Sequence, residues 1–189
     1  MGLDMYLSKK TYVQNWNHKK EKHEIIIKLN GKIRDDIKSE RISYIQEEIA
    51  YWEKANHIHN WFVENIQGGI DNCKSYYVSK DDLKKLLKTC NKVNKSLMQS
   101  ETIEKDEEVL GKNGKVNVKI KVFKNIEIAK KLLPTKEGFF FGGTDYDEYY
   151  LENIKYTIKI IEKILKELKT YELLYPEFYY PELYYHASW

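Results

Sequence analysis

Asn56 and His59 are polar residues that fall where apolar ones are due. Wound as a helix at about 100° per residue, Ile45, Ile49, Trp52, Asn56, His59 and Val63 lie within about 40° of one direction. Ala55, Phe62 and Ile66 widen this stripe, and Glu48 joins it. An amide turned inward without a partner costs roughly 1–3 kcal/mol. Two readings follow: a core polar pair satisfied by neighbouring backbone, or groups met by water or a ligand. A dyad of His59 with Glu48 is excluded on one helix, because eleven residues separate them, about 16 Å along the axis. His57 and His59 diverge by about 200° on a helix and cannot share a metal ion. Helical zinc pairs sit four apart, as in HExxH, which is absent. On this wheel His57 and Trp61 occupy the opposite, more polar face. An exposed Trp61 there suggests a contact surface; cover by the hairpin or the tail is the simpler expectation.

A second constellation is Gly138-Phe139-Phe140-Phe141-Gly142-Gly143, leading into a helix start. Backbone N–H groups at such a start bind anions, but Thr144, Asp145 and Asp147 already supply caps and negative charge. The run is neither GxGxxG nor a Walker A loop, so nucleotide hydrolysis of those types has no support. Asp147 extends the apolar stripe of the following helix, so it serves as a cap or aims a carboxylate inward. A third constellation is Asp71-Asn72-Cys73 with Tyr76-Tyr77, where the rings could stack on a base. GxSxG is absent, and neither Cys73 nor Cys90 has a catalytic setting or a zinc-ligand spacing. No catalytic residue, metal or cofactor is assigned on these grounds.

These residues need elements to position them. Leu3, Met5 and Leu7 alternate with polar neighbours, which predicts a strand. Residues 24–29 read as a second strand that ends at the Asn30-Gly31 turn. The stretch from about Ile42 to Ile66, free of Gly and Pro, predicts a helix of about six to seven turns, ended by Gly68-Gly69. Ser79 with Asp82 predicts a capping box opening a helix with the stripe Leu83, Leu86, Leu87, Cys90, Val93 and Leu97. Residues 100–125 read as an inserted hairpin, with a turn at Gly111-Lys112-Asn113-Gly114 and an amphipathic strand from Val116 to Val122. A short helix spans about Ile126 to Leu133, and Pro134 stops it. A long helix runs from about Asp145 to Leu168, with caps Thr144/Asp147 and Asp145/Glu148 and the stripe Tyr150, Ile154, Ile158, Ile161, Leu165, Leu168. Residues 169–189, with the echo Pro176-Glu177-Phe178-Tyr179-Tyr180 and Pro181-Glu182-Leu183-Tyr184-Tyr185, read as a Tyr-rich extended strap. The expected fold is a single α+β domain over 1–189. Two long helices and one or two shorter ones pack on a small, mainly antiparallel sheet.

Composition narrows the partners. The 189 residues carry Lys+Arg 32 against Asp+Glu 29, a net charge of +3. Arg34 and Arg41 are the only arginines, which argues against sequence-specific DNA binding, where bidentate arginine is the main reader. The lysines and the 16 tyrosines match an A/T-rich coding genome. No apolar run nears the roughly 20 residues of a membrane span. The first residues lack the basic and apolar regions of a secretory leader. A cytoplasmic address is expected, and a homo-oligomer is compatible with everything here.

Three stretches carry a resemblance: Gly2-Leu3-Asp4-Met5-Tyr6-Leu7; Trp52-Glu53-Lys54-Ala55-Asn56-His57-Ile58-His59-Asn60-Trp61-Phe62; and Gly138-Phe139-Phe140-Phe141-Gly142 through Tyr146-Asp147-Glu148-Tyr149-Tyr150. Together with Leu132-Leu133-Pro134-Thr135 and Ser188-Trp189, the chain resembles a family of small uncharacterised phage and prophage proteins. Residues 100–125 stand outside the resemblance. It implies a viral accessory protein acting in a bacterial host against its defences. Joined to the polar stripe, the expectation is a binding protein that sequesters a small nucleotide-derived signal. Trp52, Asn56 and His59 line its pocket, and Phe140, Asp145, Asp147 and Tyr150 approach from the other side. The alternatives are an inhibitor of a host defence protein, working through the Lys-rich hairpin, Trp61 and the tail, and a small hydrolase or lyase. In the last, His59 is the general base with Asp147 or Asp71 across the fold.

Overall fold

Alternation at the start of the chain does produce a strand. In the computed structural model, which describes every residue but 1, 19, 21, 112, 113, 178 and 179 and the backbone alone at 109–111, β1 spans Asp4–Tyr12. Then come the two-residue strands β2 (Lys28–Leu29) and β3 (Lys32–Ile33), followed by β4 (Tyr44–Glu53) and α1 (Asn56–Asn65). Next are β5 (Tyr76–Val78), α2 (Lys80–Leu97), and the hairpin strands β6 (Thr102–Gly111) and β7 (Gly114–Phe123). The last elements are α3 (Glu127–Leu132), α4 (Glu148–Leu174) and β8 (Glu182–Ser188). The α+β class holds, with antiparallel pairing throughout.

The main sheet has the order β4-β1-β8-β5. In register, Asp4 faces both Glu53 and Ser188. A bulge at Leu7/Ser8 shifts β4 by one residue. One face of the sheet, with Met5, Leu7, Trp52, Leu183, Tyr185 and Ala187, is buried. It meets Ile58 and Phe62 of α1 and the α2–α4 pair in one core. Each such side chain contributes about 1.5–3 kcal/mol by leaving water. The α2 stripe is as expected: Leu83, Leu86, Cys90, Val93 and Leu97 are buried, and the Ser79/Asp82 capping box is formed. On α4, Tyr150, Ile154, Ile161 and Leu168 are buried, while Ile158 and Leu165 pack at the margin of the core.

Three expectations are corrected. The helix drawn over 42–66 is a strand followed by a helix. Its first half carries the β-branched and aromatic residues Ile45, Ile49, Tyr51 and Trp52, and pairing with β1 overrides the helical stripe. The break needs neither Gly nor Pro, because Lys54 takes it at φ +51°. The tail is not a strap laid over the domain: residues 169–174 continue α4, and β8 lies inside the sheet. At α4 the cap is Asp147 itself, accepting from the Tyr150 N–H at 2.8 Å. The hairpin forms as expected; Lys112 and Asn113 of its turn, and Phe178 and Tyr179 of the tail echo, lie outside the described residues. Among the described residues no helix is long and apolar enough to cross a membrane.

Candidate functional site

Helix α1 has no side-chain N-cap, and its first turn is held by Asn56 instead. The Asn56 amide nitrogen donates to the carbonyls of Phe141 (3.2 Å) and Gly143 (2.8 Å), and its oxygen accepts from the Lys136 N–H (3.2 Å). All three partners are main chain. The amide thus fastens the 136–143 loop to α1, and its capacity is largely spent on that role.

His59 is fully buried and joins a relay. Its Nε2 lies 3.0 Å from Asp71 Oδ1, and its Nδ1 lies 2.7 Å from the Tyr185 hydroxyl. With Asp71 ionised, Nε2–H donates to the carboxylate and Nδ1 accepts from the Tyr185 O–H. Lys136 Nζ completes the chain at 3.0 Å from Asp71 Oδ2. Burial holds the His59 imidazole below its ordinary value, with Asp71 opposing that shift, and burial pushes the Tyr185 phenol well up. Of the two carboxylates considered for His59, the fold brings Asp71 to it. Asp147 is committed to α4. Both imidazole nitrogens are engaged and the ring has no exposed surface, so a substrate finds no free lone pair in this arrangement.

Among the described residues, buried side-chain polar atoms without a hydrogen-bond partner occur at His57, Gln67 and Asn94, and of these three His57 borders a cleft. The wheel over 42–66 set His57 on a polar face, yet it is 3% exposed, and its Nε2 has no hydrogen-bond partner. Burial drives its conjugate acid down to about 3, so the imidazole is neutral. Its ring lies 4.1 Å from that of Tyr150. The two rings form part of the wall of a cleft of about 190 Å³ between the first turns of α1 and α4. Lys54, Asn56, Gly143, Asp145, Asp147 and Tyr149 complete the wall, and Glu107 reaches it from the hairpin. The hairpin is tethered above by Lys105 to Asp145 (2.6 and 2.8 Å) and by the Phe123 N–H to the Tyr146 carbonyl (2.9 Å).

Of the expected ligand residues, Asn56, Asp145, Asp147 and Tyr150 meet at this cleft. Trp52 and His59 lie elsewhere, in the core. The Trp52 indole donates to Thr157 Oγ1 at 2.9 Å. Phe140 is 58% exposed, with φ +58°, and is not part of the cleft wall. The Tyr150 hydroxyl is bonded to the Leu133 carbonyl. In the 71–77 loop Asn72 bonds Tyr76, while Tyr77 is exposed. Trp61 is buried at 7%, as the simpler expectation had it, though what covers it is the core.

His57, Lys54, Glu107 and Tyr149 were missed. One signal was available: from Ala55 to Val63 no residue is charged. That run marks a helix buried on every side rather than one with a polar face. No group of three His, Cys, Asp or Glu suited to a metal occurs among the described residues. Compared with protein-family models, curated proteins and solved structures, the chain finds no match.

Proposed function

We propose that the α1–α4 cleft binds the base portion of a nucleotide-derived host signal, and that the protein acts as a phage accessory protein by sequestering it. The observation that carries this reading is the polar cleft itself, with Glu107, Asp145, Asp147 and Lys54 in its wall beside the neutral, enclosed His57 ring. The His57 Nε2 has no partner within the protein, and a buried polar atom left unmatched costs about 1–3 kcal/mol. The charge of the wall selects the ligand. Glu107, Asp145 and Asp147 outnumber Lys54 and the Lys105 ammonium that pairs with Asp145, so a phosphate is repelled from the interior. A base with an exocyclic amino group and a ring acceptor matches carboxylates on one side and an ammonium on the other. At about 190 Å³ the cleft is smaller than the ~300–1,000 Å³ of drug-sized sites. One ring system enters, and sugar and phosphate stay outside.

Isothermal titration with adenosine, cytidine and uridine tests this. The two amino-bearing nucleosides release heat and uridine does not. Glu107→Gln, at a side chain that forms no ion pair among the described residues, weakens adenosine binding about tenfold, the worth of one charge-assisted hydrogen bond. Silence with all three ligands rejects the reading. The alternative, an inhibitor of a host defence protein, loses the surface expected of Trp61. A hydrolase or lyase built on His59 requires the relay to open.

A further inference from the structure

The second face of the main sheet is lined by half-buried and exposed side chains. β8 alternates strictly and β1 does so over Asp4–Leu7, and register sets Asp4, Tyr6, Ser8 and Lys10 opposite Ser188, His186, Tyr184 and Glu182 on the side away from the core, with Tyr12 two residues further on the same side. Register brings Tyr44, Glu48, Tyr51 and Glu53 of β4 to the same side. The result is a tyrosine-paved surface with carboxylates set between the rings.

Its two halves differ in one respect. In the first, Lys10 Nζ sits 3.9 Å from the Tyr44 ring centre, with Tyr12 at 5.3 Å and Tyr184 at 6.0 Å. Glu182 accepts from the Tyr184 hydroxyl at 2.8 Å. This half is a cation cage that the chain fills with its own ammonium. In the second half the rings recur, and among the described residues no lysine or arginine sits over them. Tyr6 lies 5.3 Å from Tyr51 and 5.9 Å from His186. The Tyr51 hydroxyl donates to Asp4, and Glu48 stands opposite Ser8, beside Tyr6. Among the described residues no lysine or arginine pairs with Asp4 or Glu48, and Glu53 has only Lys54 at 3.7 Å.

We propose that this second half docks an arginine-bearing basic segment of a partner protein, with the guanidinium laid over Tyr6 and Tyr51 between Asp4 and Glu48. Charge complementarity selects the occupant. A guanidinium stacks on aromatic faces and bonds carboxylates in a fork, and does both better than an ammonium. The acidic groups repel a nucleic-acid backbone, so the tyrosines do not serve as a base-stacking platform. Periodicity fits as well: an extended segment turns alternate side chains to one side.

The test is fluorescence anisotropy of the full chain with a labelled (Arg-Ser)4 peptide. Comparators are (Lys-Ser)4, (Glu-Ser)4 and a labelled single-stranded oligonucleotide. The expected result is binding of the arginine peptide that fades with added salt, weaker binding of the lysine peptide, and none of the other two. Glu48→Lys and Tyr51→Ala, both at exposed positions, each weaken it about tenfold with unchanged circular dichroism. Should Tyr51→Ala disturb the sheet, Glu48→Lys alone decides. No binding of the arginine peptide, or equal binding by Glu48→Lys, overturns the proposal. So does an oligonucleotide that binds and is lost with Tyr51→Ala, which replaces it with a nucleic-acid platform.

Discussion

His57 enters the interior uncharged, and that has a price in acid. Above about pH 6.5, the ordinary histidine value, folded and unfolded states both hold it neutral. Between there and about pH 3, only the unfolded state takes up the proton. Stability therefore falls as pH falls through this window, at ~1.4 kcal/mol per pH unit for one such group. His59, also held below its ordinary value by burial, adds to the same slope. His57→Phe keeps a ring against Tyr150 and removes the unmatched nitrogen. Urea denaturation at pH 4 to 7 is expected to show a shallower pH slope for this variant and no loss of stability at pH 7. A variant less stable than the parent at neutral pH means that the nitrogen has a partner after all. Asn56 teaches a different lesson. It is buried, as expected, but on a helix buried on nearly every side and not on the one-sided stripe drawn over 42–66. Its partners were not legible in the sequence, because Phe141, Gly143 and Lys136 reach it only through the folded loop.

Among the elements, legibility tracked how local the deciding interaction is. The start of α2 was readable because Ser79 and Asp82 bond each other and adjacent backbone within one turn. The β6–β7 hairpin was readable because its strands are neighbours in sequence. The stretch 42–66 was not, because β1 decides it from forty residues away. Its helical spacing was a coincidence that tertiary pairing overrode. The loop ahead of α4 holds a further local oddity. Phe140 adopts φ +58° while 58% exposed, a conformation costly to a residue with a Cβ. Its carbonyl accepts from the Leu3 N–H at 3.3 Å, so backbone placement holds the strain. Phe140→Gly is expected to raise stability by about 1 kcal/mol, seen as a higher urea midpoint. A lower midpoint shows that the ring itself holds the loop.

At the scale of the whole molecule, the sheet depends on β8, which supplies a partner to both β1 and β5. Leu183 is buried and stands in register with Lys9 on one side and Val78 on the other. Leu183→Pro removes a ladder donor in an interior strand and is expected to cost ~3 kcal/mol or more. It should abolish the cooperative urea transition. Val118→Pro, in the separate two-stranded hairpin, leaves the α2–α4 and main-sheet core intact and serves as the control. Equal loss in both variants makes the hairpin an integral part of the core. Nothing local in residues 182–188 announces this importance. Their alternation says strand, but only the register with β1 says interior.

That register also sets how the protein yields to a pull. Asp4 and Ser188 face each other at one end of an antiparallel ladder. Tension applied at these two points loads one rung at a time, as in opening a zipper, instead of shearing all rungs together. Each hydrogen bond resists with only about 1 kcal/mol, so a translocating unfoldase that grips this corner meets little mechanical resistance and splits the sheet through its middle.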